Sequence, residues 1–238
     1  MKLMGYLFLR KNRVAAVVLA VLVLSRVAQA LALQADPYAS TEFFDGYLSF
    51  NGAHAGAFVL IPCAAVILQR ASTFCARPQF AIAAGSRPVA SVRCWLLMVA
   101  FGLATSAMVT GSAVVALMLS TGMVPSDTAC LLASALMQAV VFTVGATIAV
   151  ILLLVAGIQA IALMGMIAYG MWDFMAMNIV GGGVPCVGWG IAFLVPGFEM
   201  ADLVFRLGFF GALLFGSLAV LALAFSRVDY VARGNPDK

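Results

Sequence analysis

Long apolar runs that contain very few charges are the feature that most constrains this chain. Of its 238 residues, 65% are hydrophobic and only 9% are charged, whereas a soluble domain usually carries roughly 25% charged residues. A soluble fold of this size would leave much of that apolar surface in contact with water. The composition therefore predicts a membrane protein built from helices of about 20 residues each.

Six apolar runs are long enough to predict six transmembrane helices and an all-α fold. The predicted spans are residues 14–33, 53–69, 94–120, 130–153, 156–177 and 207–225. The run from Ala129 to Met177 is too long for a single crossing, so we divide it near Gly157 and Gln159. The spans and their loops form one transmembrane domain over residues 1–238, which leaves no stretch for a separate soluble domain.

The distribution of charge predicts the orientation of the spans. Eleven of the 13 basic residues lie at the two ends of the chain or in the loop at residues 70–93, all on one side of the six-span arrangement. The positive-inside rule places that side, and therefore both termini, in the cytoplasm. Most acidic residues fall on the opposite side: Asp36, Glu42, Asp45, Asp127, Asp173, Glu199 and Asp202.

The N-terminus also has features of a cleaved signal peptide. A basic stretch precedes an apolar core, and Ala28-Gln29-Ala30 resembles a cleavage site. The apolar run nevertheless continues to Leu33, which favours an uncleaved first span.

The sequence lacks the motifs of several enzyme and binding classes. It has no G-x-x-x-x-G-K-[ST] phosphate-binding loop, and its single histidine, His54, cannot form a two-histidine metal site. The five cysteines are widely spaced and indicate free thiols. We therefore expect no catalytic residue, no cofactor and no metal. Because the basic residues flank apolar runs and form no single patch, we also expect no nucleic-acid partner.

The loop at residues 70–93 contains a predicted short helix at residues 78–84. Pro78 suits a first helical turn and Gly85 suits a helix end. The apolar residues Phe80 and Ile82, flanked by arginines, fit two alternatives that composition does not separate. One is docking to a partner protein, and the other is an interfacial helix held by anionic lipid.

Two outer segments are also distinctive. Residues 40–50 predict a short helix whose aromatic side chains form an anchoring belt at the lipid boundary. Residues 178–206 are rich in glycine and proline and predict a re-entrant piece followed by an elbow into the last span. In that elbow Glu199, Asp202 and Arg206 share one helical face, which we interpret as a water-exposed face, with a gate or substrate mouth as the sharper alternative.

Two ionisable residues lie within the predicted spans. Arg26 and Asp173 are both toward the outer ends of their helices, where snorkelling lowers the cost of a charge. We expect Asp173 to pair with Arg26 or with Arg206, as part of a possible outer gate or charge pair.

Residues 85–95, Gly-Ser-Arg-Pro-Val-Ala-Ser-Val-Arg-Cys-Trp, lead into the third predicted span. This approach to the span resembles that of type-2 ABC transporter permeases, including small ones associated with bacteriocin or lantibiotic export and immunity. The order of basic N-terminus, spans and basic loop is similar as well. The sequence departs from the family pattern because residues 71–86 contain no acidic residue.

The resemblance implies a permease subunit of an ATP-driven exporter in a bacterial cytoplasmic membrane. Its implied partners are a separate ABC ATPase subunit, a second permease copy or paralogue, and the lipid bilayer. The resemblance implies that Arg77, Phe80, Ile82 and Arg87 contact the ATPase, and that the cargo is a peptide, a lipid-like or a drug-like molecule. The alternative function is a non-transporting membrane scaffold or sensor that uses the glycine-rich outer segment.

Overall fold

The computed structural model describes residues 13–36, 42–176 and 191–228, with the side chains of 13–16, 53 and 173 left aside. Within these residues the regular structure is entirely helical. A helical turn, Ala53–Ala55, and a π-helical turn, Gly56–Leu60, lead into the third helix. The helices are α1 (Arg13–Ala35), α2 (Phe43–Asn51), α3 (Ile61–Cys75), α4 (Pro78–Ala84), α5 (Arg87–Thr121), α6 (Thr128–Ala156), α7 (Gln159–Met175) and α8 (Met200–Arg227).

Several helices are long and apolar enough to cross a membrane, so the chain is a multi-pass, all-helical membrane protein. In the described part there are 5 of these: Val17–Ala35, Gly56–Cys75, Arg87–Thr121, Thr128–Ala156 and Met200–Arg227. The remaining candidate, α7, has 17 residues and is about 25 Å long at 1.5 Å per residue. That length is slightly less than the ~30 Å hydrocarbon thickness. The sixth crossing therefore stays a prediction.

Two helices begin earlier than the apolar runs indicate. Helix α5 starts at Arg87 because the Ser86 hydroxyl accepts a hydrogen bond from the Val89 N–H at 3.4 Å and Pro88 occupies the first turn. Because α3 ends at Cys75 and α5 starts at Arg87, the segment between these helices is residues 76–86, shorter than the predicted loop at 70–93. Helix α8 starts at Met200, so the residues predicted as an elbow form its first two turns. The polar residues at these positions therefore belong to the helices and do not mark where they begin.

The long apolar run that we divided near Gly157 does turn there. Gly157 ends α6 in the left-handed region, with φ of 73°, and its N–H donates to the Leu153 carbonyl. A side chain is strained in this conformation, and glycine is not. The prediction of two helices in this run is confirmed.

Helix α6 forms the centre of the bundle and packs against α3, α5, α7 and α8. In α6, 67% of an apolar stretch of 18 residues is buried, whereas in α1 and in α8 the corresponding share is 17%. Helices α5 and α6 approach each other closely. The Ser106 hydroxyl donates to the Ala135 carbonyl at 2.5 Å, and Gly102 lies directly against Thr143 and the carbonyl of Ala139.

We expect Gly102→Ala to destabilise the bundle by about 1–3 kcal/mol. A Cβ atom at this position would lie 2.7 Å from the Ala139 carbonyl oxygen and closer still to the Thr143 hydroxyl, so α5 and α6 would have to separate. The measurement is the free energy of unfolding in mixed detergent micelles. Gly111→Ala is the matched control on the same helix, because the space around its Cβ position is open. Equal stability of the two variants would contradict this account of the α5–α6 contact.

Candidate functional site

Two hydrogen bonds define the two ends of the bundle. The Gln34 side-chain amide donates to the Ser120 carbonyl at 2.6 Å, which joins the C-terminal ends of α1 and α5. The Arg87 guanidinium donates to the Ser226 carbonyl at 2.6 Å, which joins the start of α5 to the end of α8. We call the first the α2 end, because α2 lies there, and the second the α4 end.

Arg26 is buried at the α2 end, with 4% of its surface exposed. One terminal nitrogen, Nη1, donates to the Phe50 carbonyl at 2.5 Å, and Nη2 donates to the Asn51 side-chain oxygen at 2.6 Å. The prediction that Arg26 snorkels is wrong, since its guanidinium turns into the protein. Its other N–H groups donate to Gln29 at 3.1 Å, and to Val109 and Ser112 at 3.3 Å each.

The C-terminus of α2 explains why the guanidinium lies there. The last carbonyl groups of a helix have no partner within it, and the helix dipole gives this end a partial negative charge. Phe50 and Asn51 are the last two residues of α2. The Arg26 side chain therefore meets both an unsatisfied carbonyl and a favourable dipole, which offset part of the cost of burying its charge.

A second group of polar side chains continues from this arginine toward α6. The Tyr47 hydroxyl lies 3.2 Å from the Thr110 hydroxyl, and the Gln138 side-chain amide donates to Tyr47 at 3.2 Å. The Thr110 hydroxyl also lies 3.5 Å from the Gln138 carbonyl oxygen. Asn51 and Gln138 are completely buried. We call Arg26, Asn51, Tyr47, Thr110 and Gln138 the polar network; it connects α1, α2, α5 and α6.

The aromatic side chains of α2 lie inside the bundle. Phe43, Phe44, Tyr47 and Phe50 are each no more than 6% exposed, so the prediction of an anchoring belt at the lipid boundary is wrong. Phe43 and Tyr47 stack with ring centres 6.1 Å apart. The bonds from Arg26 and Gln138 hold α2 against α1, α5 and α6, so its aromatic face becomes part of the core.

The segment that precedes α8 inserts into the same end of the bundle. Ala192, Phe193 and Leu194 are buried, and the Phe193 ring contacts Tyr47 edge-on at 6.2 Å. The Leu194 N–H donates to the Ser134 hydroxyl at 3.0 Å, and the Cys130 thiol donates to the Leu194 carbonyl at 3.3 Å. Side chains of α6 therefore bond to the backbone of this segment and hold it beside the polar network.

The predicted outer charge cluster is only partly assembled. Arg206 pairs with Asp202 at 2.8 Å, one helical turn away, which confirms their shared face. The same guanidinium donates to the carbonyls of Ile191 and Phe193 at 2.5 and 2.6 Å, so it fastens the inserted segment to α8. Glu199 precedes α8 and is exposed. The Asp173 side chain, and with it the predicted pairing, lies outside the described residues, as do residues 177–190.

At the α4 end, the predicted short helix is present as Pro78–Ala84 and ends at Gly85, whose φ is 80°. Phe80 is half-buried and packs edge-on against Phe74 of α3, with ring centres 5.5 Å apart. Ile82 is 74% exposed. Of the predicted contact residues, Arg77 and Ile82 face outward, Phe80 holds α4 on α3, and Arg87 is exposed while bonded to α8.

Sequence reasoning singled out Arg26 but missed the rest of the polar network. Gln138 carried a usable signal, since it is the sole amide side chain within Thr128–Ala156, where polar groups are costly. Tyr47 and Asn51 carried no comparable signal, because aromatic and amide residues are also common at membrane boundaries.

The described residues contain no group of three or more histidine, cysteine or acidic side chains that could hold a metal ion. No family model, curated protein or solved structure matches the chain. An inference about function therefore rests on the contacts at the two ends of the bundle.

We expect Tyr47→Phe to cost about 1–3 kcal/mol of stability, because it leaves the buried Gln138 amide without its hydroxyl partner. The double variant Tyr47→Phe with Gln138→Leu should cost less than the sum of the two single variants, since it removes both partners together. Unfolding of all four proteins in mixed micelles measures this coupling. Strictly additive losses would show that the two side chains do not interact.

Proposed function

We propose that this chain is the permease subunit of an ATP-driven ABC exporter, and that α4 is the contact for a separate ATPase subunit. The observation that carries the proposal is the placement of α4. It is a short helix at the end of two long membrane helices, and it presents Ile82 away from the bundle.

The surroundings of α4 support a docking role. A helix of 7 residues is too short to be stable alone, and it is held by Phe80 against Phe74 and by a 3.4 Å bond from Arg93 to the Ala83 carbonyl. No residue of α4 is buried. An exposed Ile82, together with an exposed Arg77 at the start of the helix, suits a partner surface that combines an apolar groove with acidic side chains.

The contacts of α4 also give a route by which ATP-driven movement would reach the membrane helices. Phe80 connects α4 to α3, and Arg93 connects it to α5. Arg87 then connects α5 to α8. Further along, α5 carries Thr110, which belongs to the polar network. A displacement of α4 that moves α5 would therefore reach both α8 and the polar network.

We further propose six crossings, with α7 as the fifth, and both termini in the cytoplasm. The proposal combines the positive-inside distribution with the short apolar helix α7, which connects α6 to the α2 end. Tilt and local thinning of the bilayer accommodate a helix a few ångströms too short.

A reporter that is active only in the cytoplasm tests this topology. We expect activity when it is fused after residue 238 or inserted after Gly85, and none when it is inserted after Gly122. Activity after Gly85 but none after residue 238 would mean that α7 does not cross, and would refute the six-span topology.

We expect Ile82→Asp to reduce co-purification of an ATPase with the tagged chain by at least about tenfold, because it places a carboxylate in a contact that should bury an apolar side chain. Val124→Asp is the matched control, since Val124 is 64% exposed at the α2 end. Mass spectrometry of the purified complex in mild detergent is the measurement. Phe80→Asp is a less selective variant, because Phe80 also packs against α3.

Recovery of the wild-type chain without any ATPase would overturn the permease proposal and favour the scaffold or sensor. Equal recovery of ATPase with Ile82→Asp and with wild type would keep the permease but reject α4 as its contact. A scaffold role would depend on the glycine-rich segment at residues 178–206, of which 178–190 lie outside the described residues.

A further inference from the structure

We infer that the groove between α1 and α5 binds the alkyl chain of an anionic amphiphile, such as a long-chain carboxylate, whose charged group lies beside Arg26. This inference concerns binding by the chain itself and is independent of any ATPase.

Two parallel helix faces form the groove. Its α1 wall contains Leu22, Arg26, Ala30 and Gln34, at intervals of four residues. Its α5 wall contains Ser112, Ala116 and Ser120 at the same interval. Residues four apart lie on one face of a helix, so the two walls match level by level. The volume of about 430 Å³ is within the range of roughly 300–1,000 Å³ for small-molecule sites.

The groove has an apolar middle between two polar levels. At one level Arg26 donates to Ser112, and at the other Gln34 donates to the Ser120 carbonyl. These levels are eight residues apart, or about 12 Å along the helix. Between them Ala30 and Ala116 are small and leave the space open. The rim is exposed toward the surroundings of the bundle, with Leu31 60% and Leu119 83% exposed, so an alkyl chain can enter sideways from the bilayer.

The charge of Arg26 determines which amphiphile fits. Every described hydrogen-bond partner of this guanidinium is neutral: two backbone carbonyls, two side-chain amides and one hydroxyl. The dipole at the end of α2 supplies a partial charge only. A full positive charge in a medium of low dielectric constant favours an anion over a neutral head group of similar size.

The hydrogen bonds of Arg26 to α2 are shorter than those to α5, which forms one wall of the groove. Those to α2 are short, at 2.5 and 2.6 Å, whereas those to Ser112 and Val109 on α5 are 3.3 Å. The longer bonds are weaker. Ser112 itself lines the groove and its hydroxyl donates to Val109 at 2.8 Å. A carboxylate can therefore replace Ser112 as the acceptor for Nε of Arg26, and the Ser112 hydroxyl can turn from the Val109 carbonyl to donate to it. Neither change disturbs the bonds that hold α2.

Photolabelling of the purified full-length chain in nanodiscs of zwitterionic lipid tests the inference. The probes are a diazirine-bearing hexadecanoic acid and the diazirine-bearing alcohol of equal length, used at a pH at which the acid is ionised. We expect the acid to label peptides from α1 and α5 about tenfold more than the alcohol does, the ratio that corresponds to one charge-assisted hydrogen bond. Excess unlabelled hexadecanoate should abolish this labelling.

Variants distinguish the contribution of the Arg26 charge from that of the open space in the groove. Arg26→Gln should lower acid labelling to the level of the alcohol, and Arg26→Lys should keep a preference for the acid. Ala116→Leu fills the groove without removing the charge and should reduce labelling by both probes. Ala212→Leu is the matched control, because Ala212 lines a separate groove between α6 and α8, and it should change neither.

Equal labelling of wild type by acid and alcohol would overturn the inference, as would undiminished labelling of Ala116→Leu. If Arg26→Gln fails to fold, the probe comparison in wild type and the Ala116→Leu result still decide the question. Loss of ATPase co-purification would leave these labelling results unchanged, so the two proposals fail separately.

Discussion

A positive charge inside a membrane domain is the constraint on which the α2 end of this protein depends. An unpaired guanidinium is costly in a bilayer, and Arg26 is 4% exposed on a helix long enough to cross one. The cost is offset by the end of α2 and by carbonyl and hydroxyl groups of α5. Because α2 must be inside the bundle to provide those groups, its aromatic face is buried and the inserted segment at Phe193 packs against Tyr47.

The two ends of the bundle differ in how their short helices are held. Helix α2 is fixed by a buried network of hydrogen bonds, which demands one geometry because each unmet bond would be costly. Helix α4 is held by the Phe80–Phe74 contact, by the long bond from Arg93 and by the packing of Ala81 and Ala84 against the core, and none of its residues is buried. A buried network at one end and an exposed short helix at the other suit the arrangement proposed above, in which a separate ATPase acts on the membrane helices.

The apolar runs, the turn at Gly157 and the helix at Pro78–Ala84 could be predicted from the sequence, because length, glycine and proline act locally. The direction of the α2 side chains could not. Lipid and protein core are equally apolar, so Phe43 or Phe50 satisfies either environment. The inward turn of Arg26 depends on carbonyls 24 and 83 residues away. The early starts of α5 and α8 were hidden for a related reason, since their first turns are polar although helical.

The long separation between Arg26 and its partners in α5 has a consequence for biosynthesis. The hydroxyl of Ser112 lies 86 residues further along the chain, and ribosomes add about 5–20 residues per second. The first helix therefore carries a charge whose partners on α5 do not yet exist, for roughly 4–17 s at those rates. During that interval the arginine has Gln29 of its own helix and, once α2 has been made, Phe50 and Asn51, but neither of its acceptors on α5. The set of acceptors is therefore complete only once the third long helix has been made.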